Sequence, residues 1–134
     1  MIVADASWVI ALRDPDDPHH GTAASFNRST IDEVIVLHPV TLAECLVGPA
    51  TIGLLDVAAA AARSSFAIAP VDADAPLRWA ALRASTGLRL PDSIVLDTAL
   101  VGGASTILTF DQRLGAEATS RAIAVPTLST MPGE

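Results

Sequence analysis

The sequence predicts an α/β domain built on a mainly parallel sheet. Three observations carry this. Short β-branched runs alternate with longer stretches of helical length. The strand-like runs are continuously apolar, the pattern of strands covered on both faces. The 134 residues make one ordinary domain, so 1–134 is read as a single unit. A chain of this size buries roughly two-thirds of its unfolded surface, enough for a real core.

The elements follow in order. Residues 2–4 (IVA) read as a buried first strand. Residues 7–12 fit a short helix, closed by DPDDPHH, whose prolines disfavour helix. Asp17 and Pro18 then suit the cap and first residue of a helix running to about Ser29. A second strand covers 34–37, and a helix covers 40–47, ended by Gly48-Pro49. Residues 51–63 form an alanine-rich helix and 66–69 a third strand. Asp74-Ala75-Pro76 opens a helix to about Ser85. Pro91 opens another, which ends at Gly102-Gly103. Residues 105–109 give a fourth strand, 111–116 a short helix and 123–125 a fifth strand.

Composition narrows the function. The chain is 51% hydrophobic with mean hydropathy +0.47, so some apolar surface is expected to stay exposed and to need a partner. A net charge of −7 argues against nucleic-acid binding through a basic face, but a metal-dependent nuclease needs an acidic site. All eight basic residues are arginine. Receiver domains, haloacid-dehalogenase-type phosphatases and P-loop enzymes all need a lysine, so its absence excludes them. Cys45 is the one cysteine, no signal-peptide layout follows Met1, and the longest uncharged run, 98–110, is too short to span a bilayer. A cytoplasmic, non-membrane protein is expected.

Four carboxylates share one pattern, an apolar run or helix start followed by an acid: Asp5 in VADAS, Glu44 in PVTLAEC, Asp92 in LRLPDS and Asp111 in ILTFDQ. In parallel sheets, ligands bind at the carboxyl ends of strands. Converging carboxylates repel one another unless a hard cation binds, and Mg²⁺ and Mn²⁺ take oxygen ligands. Each acid also has a plainer reading. Asp111 suits an N-cap, Asp92 favours its helix dipole, and Thr41-Leu42-Ala43-Glu44 fits a capping box. Asp5 is hardest to explain structurally, since it caps a helix only if that helix starts at Ala6. The conjunction of the four favours the metal reading.

These segments, with DPDDPHH, LHPVTLAECLVGPA, LRLPDSIVLDTAL and ILTFDQRL, resemble the PIN-domain family, and within it the VapC toxins, over essentially the whole chain. The resemblance implies a PIN-like three-layer fold with a central, mainly parallel five-stranded sheet. It implies an Mg²⁺-dependent endoribonuclease, with Mn²⁺ substituting, an RNA substrate, a VapB-like antitoxin and a homodimer. Asp5, Glu44, Asp92 and Asp111 match the acidic quartet of that family. Ser7 and Thr109 match the hydroxyl residues that accompany it and can hydrogen-bond a ligating carboxylate. Asp97 departs from the pattern, where a small apolar residue is usual. It stands about 140° round the helix from Asp92 and is a secondary candidate ligand or a solvated residue.

Other residues read as packing or surface. His19-His20 suit a solvated helix start, and Cys45 a small hydrophobe. Trp8 and Trp79 suit core or interface packing. Arg89 and Arg113 can reach RNA phosphate or form surface ion pairs, the latter favoured for Arg113. Two alternatives stand beside the enzyme: a catalytically silent PIN-like domain, and a metal-dependent adhesion module, whose DxSxS motif begins at Asp5 but fails at Val9. The apolar helices at 7–12, 40–47 and 51–63 suit an amphipathic antitoxin helix.

Overall fold

The computed structural model describes residues 1–129. Four parallel strands, β1 (Ile2–Ala4), β2 (Ile35–Leu37), β3 (Ala67–Ile68) and β4 (Thr106–Leu108), lie in the order β3-β2-β1-β4. The helices are α1 (Ala6–Arg13), α2 (His20–Ser29), α3 (Pro39–Thr51), α4 (Leu55–Ser65), α5 (Ala75–Thr86), α6 (Leu90–Gly102), α7 (Gln112–Ser120) and α8 (Pro126–Ser129).

Side chains alternate along β1, and each set anchors one core. Val3 joins Val95, Leu96, Ala99, Ile107 and Leu114 beneath α6 and α7. Ile2 and Ala4 join Trp8, Val9, Leu37 and Cys45 beneath α1 and α3. The three layers follow: helices, sheet, helices. From β1 the chain steps outward through β2 to β3, then crosses back so that β4 lands on the other side of β1. The gap between the ends of β1 and β4 is therefore the topological switch point, where open α/β sheets bind ligands. Among the described residues, no helix is long and apolar enough to cross a membrane.

The expected fifth strand is a single bridge, Thr106 to Ala124. Ala122 is held at φ 62°, and Pro126, which lacks an N–H, starts α8. Only three residues lie between that left-handed turn and the proline, too few for a ladder. The helix expected from Pro18 starts at His20 instead. Asp14 and Asp17 fold the segment into turns by accepting from the backbone N–H of Asp16 and His19, at 2.9 and 2.8 Å.

Gly48-Pro49 does not end α3, which runs to Thr51. Pro49 has no N–H to offer the carbonyl of Cys45. Arg13 Nη1 donates to that carbonyl at 2.9 Å, so the helix loses no buried hydrogen bond there. Gly87, at φ 72°, closes α5 and lets the chain turn abruptly into α6. Gly103 closes α6 in the same way at φ 65°.

Candidate active site

Asp5 follows β1 directly, and the helix after it does start at Ala6. The acid therefore both caps α1 and sits buried, 5% exposed, at the switch point. Its Oδ1 accepts from Trp8 N at 3.0 Å and Ser7 Oγ at 2.7 Å. Its Oδ2 accepts from Thr109 Oγ1. The two hydroxyls reach across as well: Ser7 Oγ accepts from Phe110 N, and Thr109 Oγ1 from Asp111 N, both at 3.0 Å. Ser7 and Thr109 thus sew the β1–α1 and β4–α7 junctions together with Asp5 between them. Thr127 of α8 supports the seam, bonding both the N–H and the carbonyl of Thr109.

Burial pushes the Asp5 carboxyl above its ordinary range, the hydroxyl and backbone donors pull it back, and the charge of Asp92 raises it further. Glu44, on the exposed face of α3, is also raised, first by partial burial and then by the charges of Asp92 and Asp5; Arg89 opposes this. Asp5, Glu44 and Asp92 therefore share one electrostatic field. No capping box forms at Glu44. The cap of α3 is His38, whose Nδ1 accepts from Val40 N at 3.0 Å, and Thr41 is buried inside the helix.

Asp92 lies buried in the first turn of α6. Asp111 caps α7, its Oδ1 accepting from Leu114 N at 2.9 Å. Both face Arg89, whose Nε donates to Asp92 Oδ2 at 3.0 Å and whose Nη2 stands 3.9 Å from Asp111 Oδ2. This joint contact was not legible in the sequence, because it depends on how the turn after Gly87 aims the side chain.

Asp97 stands elsewhere. Arg78 Nε donates to it at 2.9 Å and Trp79 Nε1 at 3.1 Å, which ties α6 to α5. The 140° rotation from Asp92 turns it toward α5 rather than toward the quartet. His20 is bonded to the carbonyl of Ala11, while His19 stacks flat on Phe110, ring centres 4.3 Å apart, beside Asp111. Nothing in DPDDPHH announced that contact. Arg113 donates to the carbonyl of Gly87 rather than to an acid. Burial pushes the Cys45 thiol up to about 11, so it is no nucleophile at neutral pH.

Among the described residues, no three His, Cys, Asp or Glu side chains form a ready-made metal cage. Mg²⁺ seldom needs one, since it keeps several waters and takes one or two carboxylates. The acids gathered here offer oxygen alone, with no imidazole or free thiolate among them. Two of them, Asp5 and Glu44, are held above their usual range partly by a neighbouring negative charge. That donor set fits a hard cation, which would relieve the repulsion.

The fold is shared with several solved structures. VapC20 of Mycobacterium tuberculosis, described as a sarcin-ricin loop cleaving toxin, superposes with TM-score 0.72 at 21% identity, covering 87% of this chain and 95% of that one. A toxin-antitoxin complex from Klebsiella pneumoniae gives 0.69 at 23%, covering 87% and 91%. PAE2754 from Pyrobaculum aerophilum gives 0.56 at 22%, covering 87% and 84%. No curated protein sequence matches the chain significantly. The sequence pattern of the PIN domain family matches residues 2–118, and the switch-point site lies within that span: the chain belongs to the PIN domain family.

Proposed function

We propose that this chain is a metal-dependent endoribonuclease, the toxin of a toxin–antitoxin pair. The observation that carries the reading is the buried Asp5 at the switch point. It is braced by Ser7 and Thr109 and shares its field with Asp92 and Glu44. A buried carboxylate kept in reach of other carboxylates is costly unless it has work to do.

Asp5, Asp92 and Asp111 are the residues that would hold Mg²⁺, or Mn²⁺ in its place, with Glu44 as a further ligand or as the group that orients the attacking water. A bound cation would activate that water and offset the charge that develops on the phosphodiester. Glu44, exposed on α3 and in the field of Asp5 and Asp92, is suited to receive a proton from the water. Ser7 and Thr109 fix the Asp5 oxygens so that they need not reorganise during the reaction. Attack by water on phosphorus leaves a 5′-phosphate and a free 3′-hydroxyl.

The antitoxin belongs on the apolar groove between α1, α2 and α4, lined by Val9, Leu12, Ala58, Ala61 and Phe66. The similar fold from a toxin-antitoxin complex supports an antitoxin partner, and the exposure of α4, none of whose side chains is buried, supports this place for it. A homodimer is part of the same reading.

The test is cleavage of total cellular RNA by the purified chain with Mg²⁺, Mn²⁺ or EDTA, beside Asp5→Asn. Cleavage that needs the metal and disappears in the variant supports the reading. Cleavage that survives both treatments, or products ending in 2′,3′-cyclic phosphate, would sink it.

A further inference from the structure

Arg89 stands where a cation would. It begins at a fixed base. Leu88 before it is buried, and its own carbonyl accepts from Ser93 N at 3.0 Å and Ser93 Oγ at 3.1 Å. From there the side chain reaches over the start of α6. Its guanidinium donates from Nε and Nη2 to the two oxygens of Asp92, at 3.0 and 3.4 Å, and lies 3.9 Å from Asp111. The side chain is 69% exposed while that of Asp92 is 8% exposed, so a buried anion is matched by a cation that approaches from solvent. Several other arginines are committed elsewhere: Arg13 to Cys45, Arg78 to Asp72 and Asp97, Arg83 to Leu88, Arg113 to Gly87, and Arg121 to Glu117.

A carboxylate lone pair given to a guanidinium is not available to a metal ion. A guanidinium displaced from a carboxylate seeks another oxyanion, and phosphate suits its fork. The partly exposed pair has little net strength in water, so it can exchange.

We propose that Arg89 is the site's internal counter-ion, occupying Asp92 and Asp111 in the metal-free protein and releasing them to the divalent cation, after which its guanidinium binds a phosphate of the RNA. This rests on the ribonuclease reading above. The residue thereby acts twice with opposite sign: it weakens metal binding and strengthens RNA binding. An arginine bonded away from the acids, such as Arg113, would do neither.

The experiment is Mn²⁺ titration followed by electron paramagnetic resonance, without RNA, on the wild-type chain and on Arg89→Gln, Arg113→Gln and Asp92→Asn. RNA cleavage at saturating Mn²⁺ is measured alongside on the wild type and the first two. Arg89→Gln is expected to bind Mn²⁺ about two- to fivefold more tightly, the scale of a part-exposed ion pair. Its kcat/KM for RNA is expected to fall about tenfold or more even with the metal site full. Arg113→Gln, an equal loss of charge nearby, is expected to leave Mn²⁺ affinity unchanged. Unchanged or weaker Mn²⁺ binding in Arg89→Gln overturns the proposal, as does an equal gain in Arg113→Gln or unimpaired cleavage in Arg89→Gln. Wild-type chain that binds no Mn²⁺, or binding that survives Asp92→Asn undiminished, overturns the ribonuclease reading and the proposal with it. Binding that depends on Asp92 but ignores Arg89 overturns the proposal alone.

Discussion

At the residue scale, Thr109 shows how narrowly the site is balanced. Its hydroxyl donates to Asp5 and accepts from the Asp111 N–H, so one oxygen serves both acids. Thr109→Val keeps the shape and removes the hydrogen bonds. It is expected to cost about 1–3 kcal/mol, because it takes a donor from a buried carboxylate. The sign of its pH dependence follows. Burial already holds the folded pKa of Asp5 above its unfolded value, and losing Thr109 raises it further. A raised folded pKa means that ionisation opposes folding, so stability is lost as pH rises through that value. The penalty of Thr109→Val should be larger at pH 7.5 than at pH 4 in urea unfolding, and a penalty that shrinks with rising pH would count against this account. The acids themselves were legible in the sequence, since each follows an apolar run or a helix start. Ser7 and Thr109 were legible as hydroxyls that could bond a ligating acid, but not the bonds they make across 103 and 104 positions, which leave no local pattern.

Between α5 and α6, the question is what Asp97 does. The structure gives it a pairing with Arg78 and Trp79, and Arg78 in turn holds Asp72. Asp97→Ala leaves Arg78 partly solvated and still paired, so it should cost only about 1–2 kcal/mol, chiefly for the stranded Trp79 N–H. Arg78→Ala strands a buried carboxylate and should cost more than Asp97→Ala in the same thermal unfolding series. Asp97→Ala should also keep metal-dependent cleavage. Its loss, with the fold intact, would return Asp97 to the list of ligands. Element type was largely readable from period and composition, and boundaries less so. Gly48-Pro49 reads as a stop because proline removes a helical donor. It fails as a stop because Arg13, from another helix, supplies the missing bond. No reading of residues 48–49 alone contains Arg13. The fifth strand failed for the converse reason, a local constraint at Ala122 and Pro126 that the apolar triplet 123–125 concealed.

For the whole molecule, the ribonuclease proposed above would have to grip an acidic polymer with an acidic chain. The net charge is −7, and most of its arginines are bound to its own groups. Few phosphate contacts are therefore available. If two are made, the logarithm of RNA affinity should fall with the logarithm of salt at a slope of about −1.4, shallow for a nucleic-acid enzyme. A steep slope measured by fluorescence anisotropy would reveal a basic surface on a partner or a second copy. The second global feature is α4, whose apolar residues face solvent: Val57 is 69% exposed, and Ile52, just before the helix, 71%. The isolated chain should be poorly soluble or self-associated, and co-expression with its partner should rescue it. Ala61→Glu, on the groove, should lower partner affinity at least tenfold by calorimetry while leaving cleavage unchanged.

The seam at the switch point also has a meaning in time. Asp5 is made 104 positions ahead of its partner Thr109, and Thr127, which bonds Thr109, comes later still. β1 is central in the sheet and cannot be flanked on both sides until β4 arrives. While the ribosome is still extending the chain, the carboxylates have no common frame. The N-terminal half can collapse onto β1 and β2, yet it cannot assemble the acidic centre. If the chain is the ribonuclease proposed above, it would thus stay harmless during its own translation, and an interrupted synthesis that stops before β4 would yield an inert fragment. Its groove, by contrast, is built from α1, α2 and α4, all encoded before residue 66. An inhibitor that docks there could meet the nascent protein before it is armed.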